Sequence, residues 1–419
     1  MKNYARIRQS HNKGKIVLEL SKIYKAKQQI SNFINKTPFI HSSFLSEFCK
    51  SEIYLKNENL QTTGAYKIRG AYNKIAHLSK EQKKCGVIAA SAGNHAQGVA
   101  ISARKFDIKA IIVMPESTPL LKVSATKALR AEVLLKGDNF DEAYAFATSY
   151  AKEKGLSFIH PFEDEFVIAG QGTLMLEMLD EINDLDMIVV PVGGGGLISG
   201  IASAAKQINP HIKIIGVGAK GAPAMYESFH AKKIKNSKSV RTIADGIAVR
   251  DVNPINFNII LECVDDFVQV DDEEIAEAVL FLLEKHKIIV EGAGAASVAA
   301  LLHQKINTQN HKKIGVVLSG GNIDVQMLNI IIEKGLFKAH RKMQIHVTLI
   351  DKPGALLSLT DSLKSAHANI VKIDYDRFST KLDYGDAMIS ITLETKSKEH
   401  QEEVRKILSQ KAFNFYESF

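Results

Sequence analysis

Lys67 lies just after Gly64, Ala65 and Tyr66, near the start of an amphipathic stretch, within KNENLQTTGAYKIRGAY (residues 56–72). A lysine amine reacts only when it is unprotonated, a state that a desolvated, positively biased pocket promotes. Alone, such a lysine reads as a solvated surface charge. Three glycine-containing segments change its context: SAGNHAQG (91–98), PVGGGGLISG (191–200) and LSGGNID (318–324). Each follows a short apolar run and precedes a helix-like stretch. Ligands collect at the carboxyl ends of strands in open α/β sheets, where helix N-termini favour anions. The four glycines 193–196 let backbone amides close on a phosphate without Cβ obstruction. A flexible turn is the simpler reading of any one loop; three in one chain favour a ligand site.

A dinucleotide would need spaced glycines and an acidic residue about 20 positions on. Here the following strand ends in Gly218, Ala219 and Lys220, with no carboxylate. The loop therefore suits a single phosphate better than NAD.

The elements that must carry these loops alternate from about residue 20 to 337. Val- and Ile-rich runs at 85–90, 110–114, 187–192, 212–217 and 314–318 are separated by amphipathic stretches. That pattern predicts a mostly parallel sheet with helices on both faces, an α/β doubly wound fold in two lobes. A helix-like stretch follows at 325–335, and the charged AHRKM at 339–343 marks a change of composition. Beyond it come a strand (344–349), the turn DKPG, a helix (355–366), two strands (370–378 and 387–394) and a closing helix (398–411). This is a small α+β module. The expected domains are an N-terminal extension (1–19), a catalytic region (20–338) and the module (343–419).

With 45% hydrophobic and 24% charged residues among 419, the composition is that of a globular protein of two or three domains. No apolar run is long enough to span a membrane, and the basic, polar N-terminus lacks the apolar core of a secretory signal. Cys49, Cys85 and Cys263 are scattered and odd in number, against a disulfide or zinc framework. A cytoplasmic location is expected. The net charge of +8 is spread along the chain without a nucleic-acid motif, so neither nucleic acid nor membrane is an expected partner.

KxENLQxTGxxKxRGA followed by SAGNHAQG resembles the serine/threonine dehydratase family of fold-type II pyridoxal 5′-phosphate enzymes. GGGGL, TIADGIAV (242–249), EGAGAAS (291–297) and VLSGGN fall in that family's order, over about three quarters of the chain. The resemblance implies a two-lobed fold like that of tryptophan synthase β. It also implies pyridoxal phosphate as cofactor, held as a Schiff base by Lys67, which then serves as the base at Cα. By the same resemblance Gly193, Gly194, Gly195, Gly196 and Leu197 hold the phosphate, and Asn94 bonds the ring's 3′-oxygen. Tyr66, where the family usually has Phe, backs the ring, and Ser319 faces the pyridine nitrogen. Ser91, Ala92, Gly93, Asn94 and His95 cradle the substrate carboxylate, with His95 leaning toward a structural role. His160, with no supporting motif, is read as structural.

The implied reaction is dehydration and deamination of L-threonine to 2-oxobutanoate and ammonia, a step toward isoleucine. L-Serine dehydration or racemisation is the alternative, and a non-catalytic amino-acid or cofactor-binding regulator is the alternative of another class. The racemases of the family carry a serine where this chain has Ala92, which cannot deliver a second proton. Gly218 stands where the family's cation site often has glutamate, so no metal is expected. Residues 343–419 resemble an ACT domain, a βαββαβ amino-acid sensor, through VTLIDKPGAL (347–356) and HANIVKIDYDR (367–377). Asp351, Gly354, Ala355, Leu356 and Asn369 would form its effector site, for isoleucine with valine as a possible opposing effector. A plain dimerisation domain is the other reading of the module. A homodimer or homotetramer is the implied assembly.

Overall fold

The computed structural model describes residues 18–309 and 311–418, so all but the last two residues of the expected N-terminal extension lie outside it. The chain forms two compact units, Met1–Asp324 and Val325–Phe419. The first is α/β and holds two sheets. A six-stranded sheet runs in the spatial order Phe39–His41, Glu52–Asn57, Lys313–Leu318, Met187–Pro191, Lys213–Ala219, Asp266–Val270. Its pairs are parallel except at the Phe39–His41 edge. A four-stranded parallel sheet runs Glu132–Leu135, Ala110–Met114, Val87–Ala90, Ser157–Phe158. The five apolar runs of the sequence all fall on strands of these two sheets.

Continuous apolar strands are what a sheet covered on both sides demands. Val87 and Ala89 pack into one core with Ala110 and Ile112, while Ile88 and Ala90 pack into another with Ile111 and Val113. Alternate side chains thus leave opposite faces of the smaller sheet, each roofed by helices. A larger core built on Ile188, Val190, Ile198, Ile201 and Ile214 fills the other lobe.

Three helices link the lobes at close range. A Cβ on Gly170 of Glu165–Glu181 would lie 2.5 Å from the Arg69 carbonyl oxygen of Lys67–Ala76. A Cβ on Gly200 of Gly196–Ile208 would lie 2.5 Å from the Gly172 nitrogen. Only glycine permits these backbone approaches. They seat the helix that begins with Lys67 and the helix that begins in the glycine loop on the same helix, Glu165–Glu181.

Beneath Lys67 lies a buried ion cluster. Arg69 reaches Glu58 through Nε and Nη2 (2.7 and 2.8 Å) and Glu177 through Nη1 and Nη2 (2.6 and 2.9 Å). Lys56 donates to Glu177 and to the Thr37 carbonyl (2.8 and 2.7 Å). The two cations balance the two carboxylates, as burial of charge requires.

The second unit is a four-stranded antiparallel sheet in the order Asn369–Asp376, Asp386–Glu394, Lys342–Ile350, Asn414–Glu417. Met343, Ile345, Val347 and Leu349 alternate with half-exposed polar residues, and helices Ala355–Ser365 and Lys398–Gln410 cover the apolar face through Leu359, Leu363, Val404 and Leu408. The boundary differs from the expected one. Helix Val325–Lys338 belongs to the second unit, where Glu333 pairs with Lys342 at 2.6 Å and the Arg341 amide bonds the Leu336 carbonyl. Of the charged AHRKM segment, residues 339–341 turn the chain, and Lys342 and Met343 already begin the first strand of the unit.

Candidate active site

Lys67 is the first residue of helix Lys67–Ala76, and Tyr66 before it donates its amide to the Ser319 carbonyl at 3.1 Å. An isolated bridge between Ala65 and Gly320 continues this pairing. The TTGAYK turn is thereby stitched to the SGGN loop, which brings Lys67, Tyr66 and Ser319 together. The Lys67 amine donates to the Pro161 carbonyl at 3.0 Å, with the Tyr66 and Phe162 ring centres 5.3 and 5.8 Å away. Burial pulls its pKa from 10.5 to about 8, opposed only in part by the Glu291 carboxylate. Burial, then the charge of Glu291, holds the Tyr66 phenol above its usual range.

The glycine loop follows strand Met187–Pro191. Gly195, at φ +85°, turns the chain into helix Gly196–Ile208. The Gly194 carbonyl is tied back by the side-chain amides of Asn256 and Asn253, at 2.7 and 3.2 Å. Among the described residues, the Gly194 and Gly195 amides meet no backbone acceptor. A Cβ on Gly194 would fall 2.5 Å from the Phe162 ring, and one on Gly193 would fall 2.8 Å from Ile247 Cα. The loop is a cradle that any side chain would fill. Its free amides at a helix N-terminus fit a phosphate.

Asn94 opens helix Asn94–Lys105. Its Nδ2 donates to Glu291 Oε1 at 2.8 Å, and its Oδ1 accepts from Asn322 Nδ2 at 2.6 Å. Ser91 and Gly93 form a tight turn before it, the Gly93 amide donating to Ser91 Oγ at 3.2 Å. Ser91, Ala92, Gly93 and Asn94 are all partly exposed. His95 differs: it is only 3% exposed and its Nε2 bonds the Ile159 carbonyl at 2.8 Å. Burial, then the charge of Lys67, drives its pKa to about 3. It is a neutral ring turned inward behind the loop, not a group lining an open cradle.

His160 Nδ1 accepts the Phe162 and Glu163 amides at 3.3 and 2.7 Å, and burial lowers its pKa to about 4. It therefore shapes the turn that presents Pro161 and Phe162. Those two residues, with Glu291 and Asn322, are the members of the site that the sequence reading left without a role. EGAGAAS and VLSGGN already contained Glu291 and Asn322, and a lone glutamate heading a run of small residues was the available signal.

The five effector-site candidates are not brought together within one chain. Asp351 follows strand Lys342–Ile350, whereas Asn369 pairs with Glu394 opposite that strand's first residue, Lys342. At about 3.4 Å per residue the two ends lie roughly 25 Å apart. The central strand Asp386–Glu394 separates two parallel neighbours, so Asn369 starts where Lys342 starts. Tyr375 (2.8 Å) and Arg377 are the residues that reach Asp351.

Comparison with known proteins agrees with this geometry. The family model described as pyridoxal-phosphate dependent enzyme matches residues 30–320, and the chain belongs to that family. It is 47% identical over 397 residues to an L-threonine ammonia-lyase of Thermotoga maritima, covering 95% of this chain and 98% of that one. Among solved structures it resembles maize serine racemase (TM-score 0.72, 35% identity, 77% of this chain and 99% of that one). It also resembles the processed form of threonine deaminase isoform 2 from Solanum lycopersicum (TM-score 0.71, 36% identity, 76% of this chain and 95% of that one).

Proposed function

We propose that this chain is an L-threonine ammonia-lyase, converting L-threonine to 2-oxobutanoate and ammonia. The observation that carries the reading is the desolvated Lys67 amine at the head of its helix, joined through Tyr66 to Ser319 and facing Phe162 of the glycine-loop wall. The extent of identity to the Thermotoga maritima enzyme supports it.

When bound, pyridoxal phosphate supplies the electron-withdrawing ring that makes Cα–H of an amino acid acidic. The amides of Gly193 to Leu197 would hold the phosphate, and Asn94 would offer a side-chain N–H to the ring oxygen. Ser319 would be a neutral partner for the ring nitrogen, which would keep the ring a mild electron sink and favour loss of the β-hydroxyl. Ser91 to Gly93 bind the substrate carboxylate. Lys67 would take the Cα proton, and the β-hydroxyl, taking up a proton in exchange, would leave as water. The freed enamine tautomerises and hydrolyses, so that threonine yields one 2-oxo acid and one ammonia. Ala92 offers no second proton carrier, so elimination prevails over racemisation.

The purified protein should release 2-oxobutanoate and ammonia in equal amounts from threonine; serine, one methyl smaller, differs by about 1–3 kcal/mol of pocket contact. Absence of any 2-oxo acid from either substrate overturns the reading.

The shifted lysine sets a pH profile. At a given pH below 8, a fall from 10.5 to about 8 leaves the amine roughly 300-fold more often unprotonated. Attachment of pyridoxal phosphate to the apoenzyme should accelerate about tenfold per pH unit and level off above about 8. A rate still climbing at pH 10 would mean that the amine is not desolvated.

The second unit, whose residues from 342 on follow a βαββαβ order, is read as an amino-acid sensor coupled to the catalytic unit. Isoleucine should shift the threonine saturation curve of the full chain to higher concentration, with valine opposing it. If isoleucine neither binds nor shifts the curve, the sensor role falls.

A further inference from the structure

Glu291 stands at the junction of three loops. It is 4% exposed and precedes helix Gly292–Leu302, yet its side chain makes no capping bond to that helix. Its carboxylate accepts from Asn94 Nδ2 at 2.8 Å, and the Asn322 backbone amide adds a stabilising pull on its charge. Ideal Cβ atoms on Gly320 and Gly246 would lie 2.4 and 3.3 Å from its Oε1, so the SGGN and ADGI loops both close on it. Asn322 completes a ring. Its Nδ2 donates to Asn94 Oδ1 at 2.6 Å and to the Thr63 carbonyl at 2.8 Å.

The ring dictates which way the Asn94 amide points. Its oxygen is committed to Asn322 and one N–H to Glu291, leaving one N–H. A flipped Asn94 would set its NH2 against the Asn322 NH2 and its oxygen against a carboxylate. Both contacts would be repulsive.

We propose that Glu291 is a positioning residue that acts through Asn94, its carboxylate locking the amide so that the remaining N–H is presented to the cofactor ring. The inference rests on the active-site reading above and adds a residue and a control to it.

The lock responds to protonation. Burial, reinforced by Asp245, raises the Glu291 pKa to about 7, against the pull of Asn94, Lys122 and the Asn322 amide. Lys122 lies 3.4 Å from Asp245, and Lys67 and Tyr66 are the other titratable groups that sense Glu291. A neutral carboxyl could donate to a flipped Asn94 oxygen, so the lock loosens as pH falls through about 7.

The test is a double-mutant cycle on the full-length protein, with Glu291→Gln, Asn94→Ala and the pair, read by pyridoxal phosphate dissociation and by the bound cofactor's absorbance against pH. Glu291→Gln should weaken cofactor binding about tenfold or more, the scale of one lost charge-assisted hydrogen bond. It should also abolish the spectral change near pH 7. In the Asn94→Ala background it should have almost no further effect. Additive losses, or an unchanged spectral titration with only a lower melting temperature, overturn the proposal and leave a purely structural glutamate. If Glu291→Gln does not fold, Asn322→Ala probes the same ring from its other side and must couple to Asn94→Ala in the same way. Cofactor bound at Lys67 with additive losses sinks this inference alone. A wild-type chain that binds no cofactor sinks the active-site reading with it.

Discussion

Lys67→Ala should lower threonine turnover by about 10⁴-fold, the upper end of what a positioned acid–base group contributes, while the protein unfolds near the wild-type temperature. Among the described residues, the histidines and the phenol nearest Lys67 do not replace it, and the Glu291 carboxylate is engaged by Asn94. His95 and His160 are buried neutral rings with pKa values near 3 and 4, one bonded to a backbone carbonyl and the other to backbone amides. Tyr66 is held above its usual range and stays protonated at neutral pH. Stability is spared because the Lys67 amine has one neutral partner, the Pro161 carbonyl. The substitution removes an attraction to Glu291 but relieves the larger desolvation of the ammonium form. Turnover and melting temperature of the variant measure both parts. A variant retaining a tenth of wild-type turnover would show that Lys67 is not the base.

Arg69→Met, two residues further along the same helix, should do the reverse and cost about 3–5 kcal/mol of stability. Arg69 is fully buried and is the partner of both Glu58 and Glu177. Without it Lys56 alone faces two buried carboxylates, and one negative charge is left uncompensated. Methionine fills much of the volume, so the loss is electrostatic more than steric. The pH dependence gives a second check. Arg69 and Lys56 outweigh burial and hold Glu177 below its usual 4.5. The stabilisation is therefore present above the unfolded-state value and is lost as pH falls through the lower folded-state value. Urea unfolding at neutral pH should separate the two proteins widely, and the gap should narrow below about pH 4. A gap under about 1 kcal/mol at pH 7 would mean that the cluster is not what seats the helix.

The strands of the catalytic unit were legible because a sheet roofed on both sides needs unbroken apolar runs, and 110–114 is a run of that kind. Lys67, Asn94, the glycine loop and Ser319 stood out as candidates because their motifs are local and ordered along the chain. Glu291 and Pro161 were not. Glu291 meets Asn94 across 197 positions and Pro161 meets Lys67 across 94, and neither contact leaves a periodic trace. Nor could residue order place Asn369. Whether a strand start lies beside a given loop depends on which strand occupies the centre of the sheet, and here Asp386–Glu394 takes it. Helix Val325–Lys338 was assigned to the wrong unit for a related reason. The change of composition lies after it in the chain, but Glu333 and Lys342 bind it to the strand that follows.

The most direct test of the account is chemical. Borohydride reduction of the purified, cofactor-loaded protein, followed by peptide mass analysis, should place one pyridoxyl group per chain on Lys67, with loss of the visible absorbance band and of 2-oxobutanoate formation from threonine. Label on a different lysine, or no label on a chain that still turns threonine over, would contradict it.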